Sequence, residues 1–237
     1  MSGHSKWSTI KRQKESTDQA RGKLFSKLSK AISIAVKTGG SDNPDFNPKL
    51  RMAVEQAKTA NMPKANIERA IDRASDAKNL EEVVYEGFGP EGIGIVIEAT
   101  TDNRNRTAQE LKTIFDRSGG NMGGPNSVMF NFSRMGGIVV KKKPASDEQI
   151  LKFIDLGAED VEEGESSLFL YVPFENINKI REELESDSEE IESVSIVLKP
   201  KTKMKISDDA LQTKIESLLG KLTDHDDVQQ VFSTLEY

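Results

Sequence analysis

Nine cations crowd the first forty residues of this chain, Lys6, Lys11, Arg12, Lys14, Arg21, Lys23, Lys27, Lys30 and Lys37, against two acids, Glu15 and Asp18. At about 100° per residue, Lys23, Lys27, Lys30 and Lys37 share an arc of roughly 80° on one helix, opposite an apolar face. Ammonium and guanidinium groups at this density suit phosphates. Each neutralised phosphate releases counterions, so binding would be steeply salt dependent and carry no sequence information. A solvated helix face gives the same pattern and stays open as the alternative. Trp7, the only tryptophan, sits among these cations, where its ring could stack on an unpaired base or anchor the N-terminal segment on the helices. His4 has no second histidine, cysteine or carboxylate pair beside it and makes no metal site.

A second anion candidate is Thr101-Asp102-Asn103-Arg104-Asn105-Arg106-Thr107, where a strand hands over to a helix. Arg104, Arg106 and the amides of a helix N-terminus all favour an anion. A capped loop whose arginines pair with local acids is the equal alternative. The glycine-rich stretch from Gly119 to Pro125 lacks the Gly-Lys-Ser/Thr of a phosphate-binding loop and reads as a helix stop with a turn, although its amides could meet a phosphate. Gly87 to Gly92 matches the G-x-G-x-x-G string but precedes a strand, so it is no dinucleotide site. Lys199, Lys201, Lys203 and Lys205 alternate as charges that protect an edge strand or as a basic ribbon. His225 lies in an acidic loop, and the run from Glu182 to Glu192 reads as a solvated face. No nucleophile–base grouping or metal-ligand spacing is found, so neither enzymatic activity nor a metal or small-molecule cofactor is expected.

The elements that must position these residues follow from composition and periodicity. The 237 residues carry a net charge of −6. That sum hides about 16 Lys and Arg against about 8 Asp and Glu through Lys78, and about 17 against about 31 beyond it. A basic head on an acidic body orients an encounter with a polyanion. Cysteine is absent, excluding disulfides and thiolate chemistry and permitting the cytosol. No apolar run approaches a membrane span, and Met1 to Trp7 is polar, so a soluble, unexported chain is expected. Oligomeric state is left open.

Leu24, Leu28, Ala31, Ile32 and Ala35 recur at the helical period until Thr38-Gly39-Gly40; Asn47-Pro48 and Pro63 open two further helices. Beyond Lys78-Asn79-Leu80-Glu81-Glu82 the period changes. Ile93, Ile95 and Ile97 alternate, Ala108 to Arg117 is helical, and Val128 to Val140 is extended. A second strand–helix set follows, with helices at Ser146 to Leu156 and Phe174 to Leu184 and strands near Val161, Leu168 to Val172 and Val194 to Leu198. The helix from Asp208 and the strand from Val228 then return to the first set. The expected fold is α+β: a basic helical domain over 1–79, then two ferredoxin-like α/β sandwiches, the first made of 80–134 with 206–237 and the second, 135–205, inserted into it.

Several strings are specific: Gly3-His4-Ser5-Lys6-Trp7, Arg21-Gly22-Lys23, Ala60-Asn61-Met62-Pro63-Lys64, Asn66-Ile67-Glu68-Arg69-Ala70-Ile71, Tyr85-Glu86-Gly87-Phe88-Gly89-Pro90, Thr101 to Thr107 and Gly119-Gly120-Asn121. In this order the chain resembles the YebC family of bacterial proteins, named as probable transcriptional regulators and related to mitochondrial translational activators. The match is strongest through about Phe132. Ser2 stands where the family usually has alanine, and Asn126 replaces the usual glycine before Ser127-Val128. The resemblance implies three domains, a cytoplasmic location and regulation of gene expression. One reading is transcription regulation through DNA binding; the alternative is translation regulation by a factor on ribosomal RNA, and a third is a protein-binding adaptor. The residues expected to meet nucleic acid are Lys6, Trp7, Lys11, Arg12, Lys14, Arg21, Lys23, Lys27, Lys30, Arg104 and Arg106.

Overall fold

The structure is a computed structural model that describes residues 18–75 and 79–236. Helix α1 spans Asp18–Gly39, with Gly40 left-handed at φ 73° as the stop requires. Helices α2 (Pro48–Thr59) and α3 (Lys64–Asp72) follow. Ile32 and Ala35 of α1 pack with Leu50, Ala53, Val54 and Ala57 of α2 and with Met62, Ile67 and Ala70.

One buried side chain ties these helices together. Asn47 caps α2 by accepting the Leu50 N–H at 3.1 Å, and its amide donates to the carbonyls of Ala35 at 2.9 Å and Ser41 at 2.7 Å. A Cβ on Gly39 would fall 2.1 Å from the Asn47 side-chain oxygen, so glycine there lets α1 and the cap approach. Asn47→Ala removes a cap and leaves one buried and one half-buried carbonyl without its donor, and we expect a loss of about 2 kcal/mol. Asn47→Asp, which keeps only the cap, should lie between the two in thermal melts.

The α+β portion begins with a strand that the periodicity did not reveal, β1 (Glu81–Phe88). It is followed by β2 (Gly94–Thr101), α4 (Arg104–Arg117), the short β3 (Asn121–Met122) and β4 (Phe132–Lys141). Then come α5 (Ser146–Asp155), β5 (Asp160–Glu163), β6 (Ser167–Pro173), α6 (Ile177–Ser186), β7 (Ile191–Pro200), β8 (Met204–Lys205), α7 (Asp209–Thr223), β9 (Val228–Ser233) and β10 (Leu235–Glu236). The extended run expected from Val128 begins instead at Phe132, because Met129–Asn131 forms a 3-10 turn.

Contacts divide the described residues into two compact units, 132–201 on one side and 18–75, 79–131 and 202–236 on the other. In the first, β4-α5-β5-β6-α6-β7 forms an antiparallel sheet in the order β5-β6-β4-β7, the ferredoxin-like arrangement. Its core joins Ile138, Val140, Leu168, Leu170 and Val172 of the sheet to Phe153, Ile177, Ile180 and Leu184 of the helices. In the second unit the sheet order is β3-β1-β2-β9, with β9 supplied by the end of the chain. Position by position this is the same sheet: β2-α4-β3 corresponds to β4-α5-β5, and α7-β9 to α6-β7. Only the strand equivalent to β6 has moved in sequence, to become β1. Short β8 and β10 pair in parallel as a separate two-stranded sheet. Among the described residues no helix is long and apolar enough to cross a membrane.

Candidate functional site

Lys6, Trp7, Lys11, Arg12 and Lys14 lie outside the described residues. The six remaining candidates fall on α1 and on the first turn of α4, and most of them meet internal partners.

The lysine stripe of α1 faces the carboxyl end of α7 and the loop into β9. Lys27 donates to the carbonyl of Thr223, in the last turn of α7, where the helix dipole concentrates negative charge. Burial drives its pKa down from the ordinary lysine range to about 8, and the nearby Asp224 and Asp226 only partly offset this. Lys30 reaches Asp227 Oδ1 at 2.6 Å and the Asp226 carbonyl at 3.2 Å. Lys23 stays half exposed, 4.0 Å from Asp226. Lys37 donates to the Leu80 carbonyl. Lys27 and Lys30 of the expected phosphate-facing stripe thus bond acids and carbonyls almost 200 residues away. Arg21 is exposed near the start of the helix.

The turn from β2 into α4 resolves as the capped-loop alternative for Arg106. Asn103 caps the helix by accepting the Arg106 N–H at 3.1 Å. The Arg106 guanidinium bridges Asp102 Oδ1 at 2.9 Å and Asp227 Oδ2 at 2.8 Å. Arg104 remains 63% exposed, with Glu81 3.8 Å away. Tyr85 donates its hydroxyl to the Arg104 carbonyl.

Asp227 is the centre of this region, and the sequence reading passed over it. Its side chain is 5% exposed. Oδ1 accepts from Lys30, and Oδ2 accepts from Arg106, from Thr107 at 2.7 Å and from Thr101 at 3.3 Å. Burial alone would raise its pKa, but the hydrogen bonds from Lys30, Arg106 and Thr107 outweigh it and hold the carboxyl well below the usual range. The Asp227 N–H donates to His225 Nδ1 at 3.1 Å, and His225 Nε2 lies 2.9 Å from Glu110 Oε2. Glu110, His225 and Asp227 have ligand-type atoms within 4.8 Å of one another. With both Asp227 oxygens and both His225 nitrogens in hydrogen bonds, we assign no metal to them.

The segment after α4 surrounds a second internal carboxylate. Glu86, 6% exposed in the middle of β1, accepts the N–H groups of Asn126 at 2.6 Å and of Val128 and Met129, both at 2.7 Å. Asn126 is left-handed at φ 63°. Glycine takes that conformation freely and asparagine is among the best substitutes, so Asn126 is tolerated at this turn. The amides that surround the Glu86 carboxylate lie just beyond the Gly119 to Pro125 turn, from which only the Gly123 N–H is bonded to the Glu86 main-chain carbonyl. An acid within a strand, between Tyr85 and Gly87, was the available sign of such a partner. Lys199, from the alternating lysine run, pairs with Asp160 at 2.9 Å and covers the Tyr171 ring.

The buried carboxylate has a counterpart in the other unit. Glu189 accepts from Lys143 and from Gln149, each at 2.8 Å, and lies 3.4 Å from Lys152. Burial alone would raise its pKa; these partners together lower it.

Comparison with known proteins agrees with this architecture. Residues 5–77 match the family model of the TACO1/YebC protein N-terminal domain, and residues 80–235 that of the TACO1/YebC second and third domain. A probable transcriptional regulatory protein of Aquifex aeolicus (strain VF5) is 45% identical over 100% of this chain and 96% of its own length. One of Finegoldia magna is 42% identical over 98% of this chain and 97% of its own. The crystal structure of a conserved hypothetical protein from Aquifex aeolicus superposes with a TM-score of 0.85 at 44% identity, covering 91% of this chain and 90% of that one.

Proposed function

The chain belongs to the TACO1/YebC family, and from that premise we propose that it is a nucleic-acid-binding regulator of gene expression whose basic N-terminal segment makes the phosphate contacts. The relatives' name, probable transcriptional regulatory protein, supports the regulatory part. The observation that carries the binding part is the division of charge. The chain through Lys78 holds about twice as many cations as acids, while the remainder is strongly acidic. Internal acids and carbonyls engage Lys27, Lys30 and Arg106, so the phosphate contacts fall to Lys6, Lys11, Arg12 and Lys14, with Arg21, Lys23 and Arg104 as exposed additions. We read the protein as non-enzymatic, since the shifted groups Asp227 and Glu189 face fixed internal partners.

DNA is the first reading of the target. A specific observation favours a second, structured RNA such as that of the ribosome. Among the described residues the 223–227 segment engages Lys27 and Lys30 of the α1 stripe, which interrupts the continuous cationic face that would lie along a duplex.

Titration against duplex DNA and structured RNA at several salt concentrations tests the proposal. The wild-type affinity is expected to fall steeply with salt, and Lys11→Ala, Arg12→Ala and Lys14→Ala together to reduce the log–log slope by about 3. Lys30→Ala should lower the melting temperature with little change of slope. Salt-independent binding, or none to either nucleic acid, defeats the proposal.

A further inference from the structure

Residues 60–63 alone join α2 to α3, and the joint is fixed by its own hydrogen bonds. The Ala60 N–H closes α2 by donating to the Gln56 carbonyl at 3.0 Å. The Asn61 N–H then reaches back to the Lys58 carbonyl and the Met62 N–H to that of Ala57, each at 2.9 Å, with Asn61 left-handed at φ 57°. These two bonds around one left-handed residue make a Schellman ending, and the apolar pair that accompanies it is Met62 with Ala57, 6% and 0% exposed. Pro63 follows, and its carbonyl accepts the N–H groups of Asn66 and Ile67, so α3 starts directly after the turn. Ile67 and Ala70 bury the inner side of α3 in one core with Ile32 of α1 and Leu50 and Ala57 of α2. Two helices joined by a tight turn and braced by a third are a frame that can lay its last helix in the major groove of DNA.

The outer side of α3 suits that groove. Lys64, Ala65, Glu68 and Arg69 fall within about 140° of arc, opposite Ile67 and Ala70. All four are exposed, the Lys64 and Glu68 side chains by 89% and 58%. Nine residues make a rod about 13 Å long, and the major groove is about 12 Å wide. Lys64 and Arg69 can donate to guanine, Glu68 can accept from cytosine, and the Ala65 methyl can meet that of thymine. Lys64 and Glu68 lie 3.5 Å apart, a solvated pair that base edges can replace. From Pro48 to Arg73 six cations stand against three acids, in a chain of net charge −6, so this surface is complementary to a polyanion. Among the described residues none of the exposed large apolar side chains lies on α2 or α3, so a protein partner finds no anchor there. A-form RNA has a major groove too narrow to be read, which leaves duplex DNA as the fitting partner.

We propose that α2 and α3 form a helix-turn-helix whose second helix reads the major groove of duplex DNA, with Lys64, Glu68 and Arg69 on base edges and Lys58 on the phosphate backbone. This rests on the nucleic-acid reading above, in its DNA form. It adds sequence readout to the phosphate contacts of the N-terminal segment, which carry none.

The test selects from a random-sequence DNA duplex library with the full chain. Wild type and variants are then measured at one salt concentration on the enriched duplex, on the unselected library and on the same library transcribed as folded RNA. Wild type should enrich one duplex sequence. Arg69→Ala should melt like wild type and weaken the enriched duplex about tenfold more than the unselected library. Glu68→Gln, put through the same selection, should enrich a sequence with a changed base. The Lys11, Arg12 and Lys14 replacements should weaken both duplexes alike. Duplex binding without enrichment, or an Arg69→Ala loss equal on both duplexes, overturns the groove reading and leaves the phosphate contacts standing. Binding to folded RNA alone also overturns the groove reading and selects the RNA target. Wild type that binds neither DNA nor RNA overturns both proposals.

Discussion

Asp227→Ala is expected to lower the unfolding free energy by about 3 kcal/mol and to loosen the attachment of α1 to β9. Asp227 accepts from two cations and two hydroxyls while nearly excluded from water. Removing it leaves Lys30 and Arg106 without their shared anion. For a fully buried pair such a loss runs to about 3–5 kcal/mol. Lys30 is 28% and Arg106 44% exposed, so both can partly rehydrate, which places the effect near the lower end. Chemical denaturation would measure it, and hydrogen exchange should show α1 amides losing protection ahead of those in β2.

The same carboxylate sets an acid limit. Its folded pKa is depressed, so its contribution is present above the unfolded value of about 3.9 and is lost as pH falls through the folded value. Glu189 has the same sign and adds to the loss. Asp227→Asn keeps the shape without the charge. Its melting temperature should lie well below wild type at pH 6, and the two should approach one another as the pH is lowered through 4 and below. A gap that stays constant over that range would show that Asp227 acts through packing rather than charge.

Glu86→Ala carries the second large effect. Three backbone N–H groups, two of them on the consecutive residues 128 and 129, would lose their acceptor together. An orphaned buried donor costs about 1–3 kcal/mol, and because water can enter part of the loop we expect about 3 kcal/mol in all. Glu86→Gln keeps one acceptor oxygen but brings amide hydrogens against the same donors, so it should recover little. Hydrogen exchange at Asn126, Val128 and Met129 would report the change directly. Protection there that survives Glu86→Ala would assign the loop's order to the burial of Val128 instead.

Much of the helical architecture was legible because its signals are local. The period of Leu24, Leu28 and Ile32, the Gly39-Gly40 stop and the Asn47-Pro48 cap placed α1 and α2 within a few residues. Helix α4 begins at Arg104 rather than Ala108 because the Asn103 cap recruits the first turn. Phe174–Asn176 is a 3-10 turn leading into α6, so that helix starts later than its apolar pattern suggested. Strand β1 was missed because Glu81, Glu82 and Glu86 break the alternation that marks a half-buried strand.

The sequence by itself determined the α+β class, the absence of thiol chemistry, the opposed charge of head and body and the family strings. All of these are sums or short-range patterns. Only the tertiary structure decided what the charges do. Lys27 and Lys30 meet partners 196 and 197 positions away, Arg106 meets Asp227 across 121, and the loop amides meet Glu86 across 40 or more. A lysine stripe facing phosphate and one facing an internal carboxylate read identically along the chain. The difference lies in which acid the fold brings within 3 Å, and no local period records that.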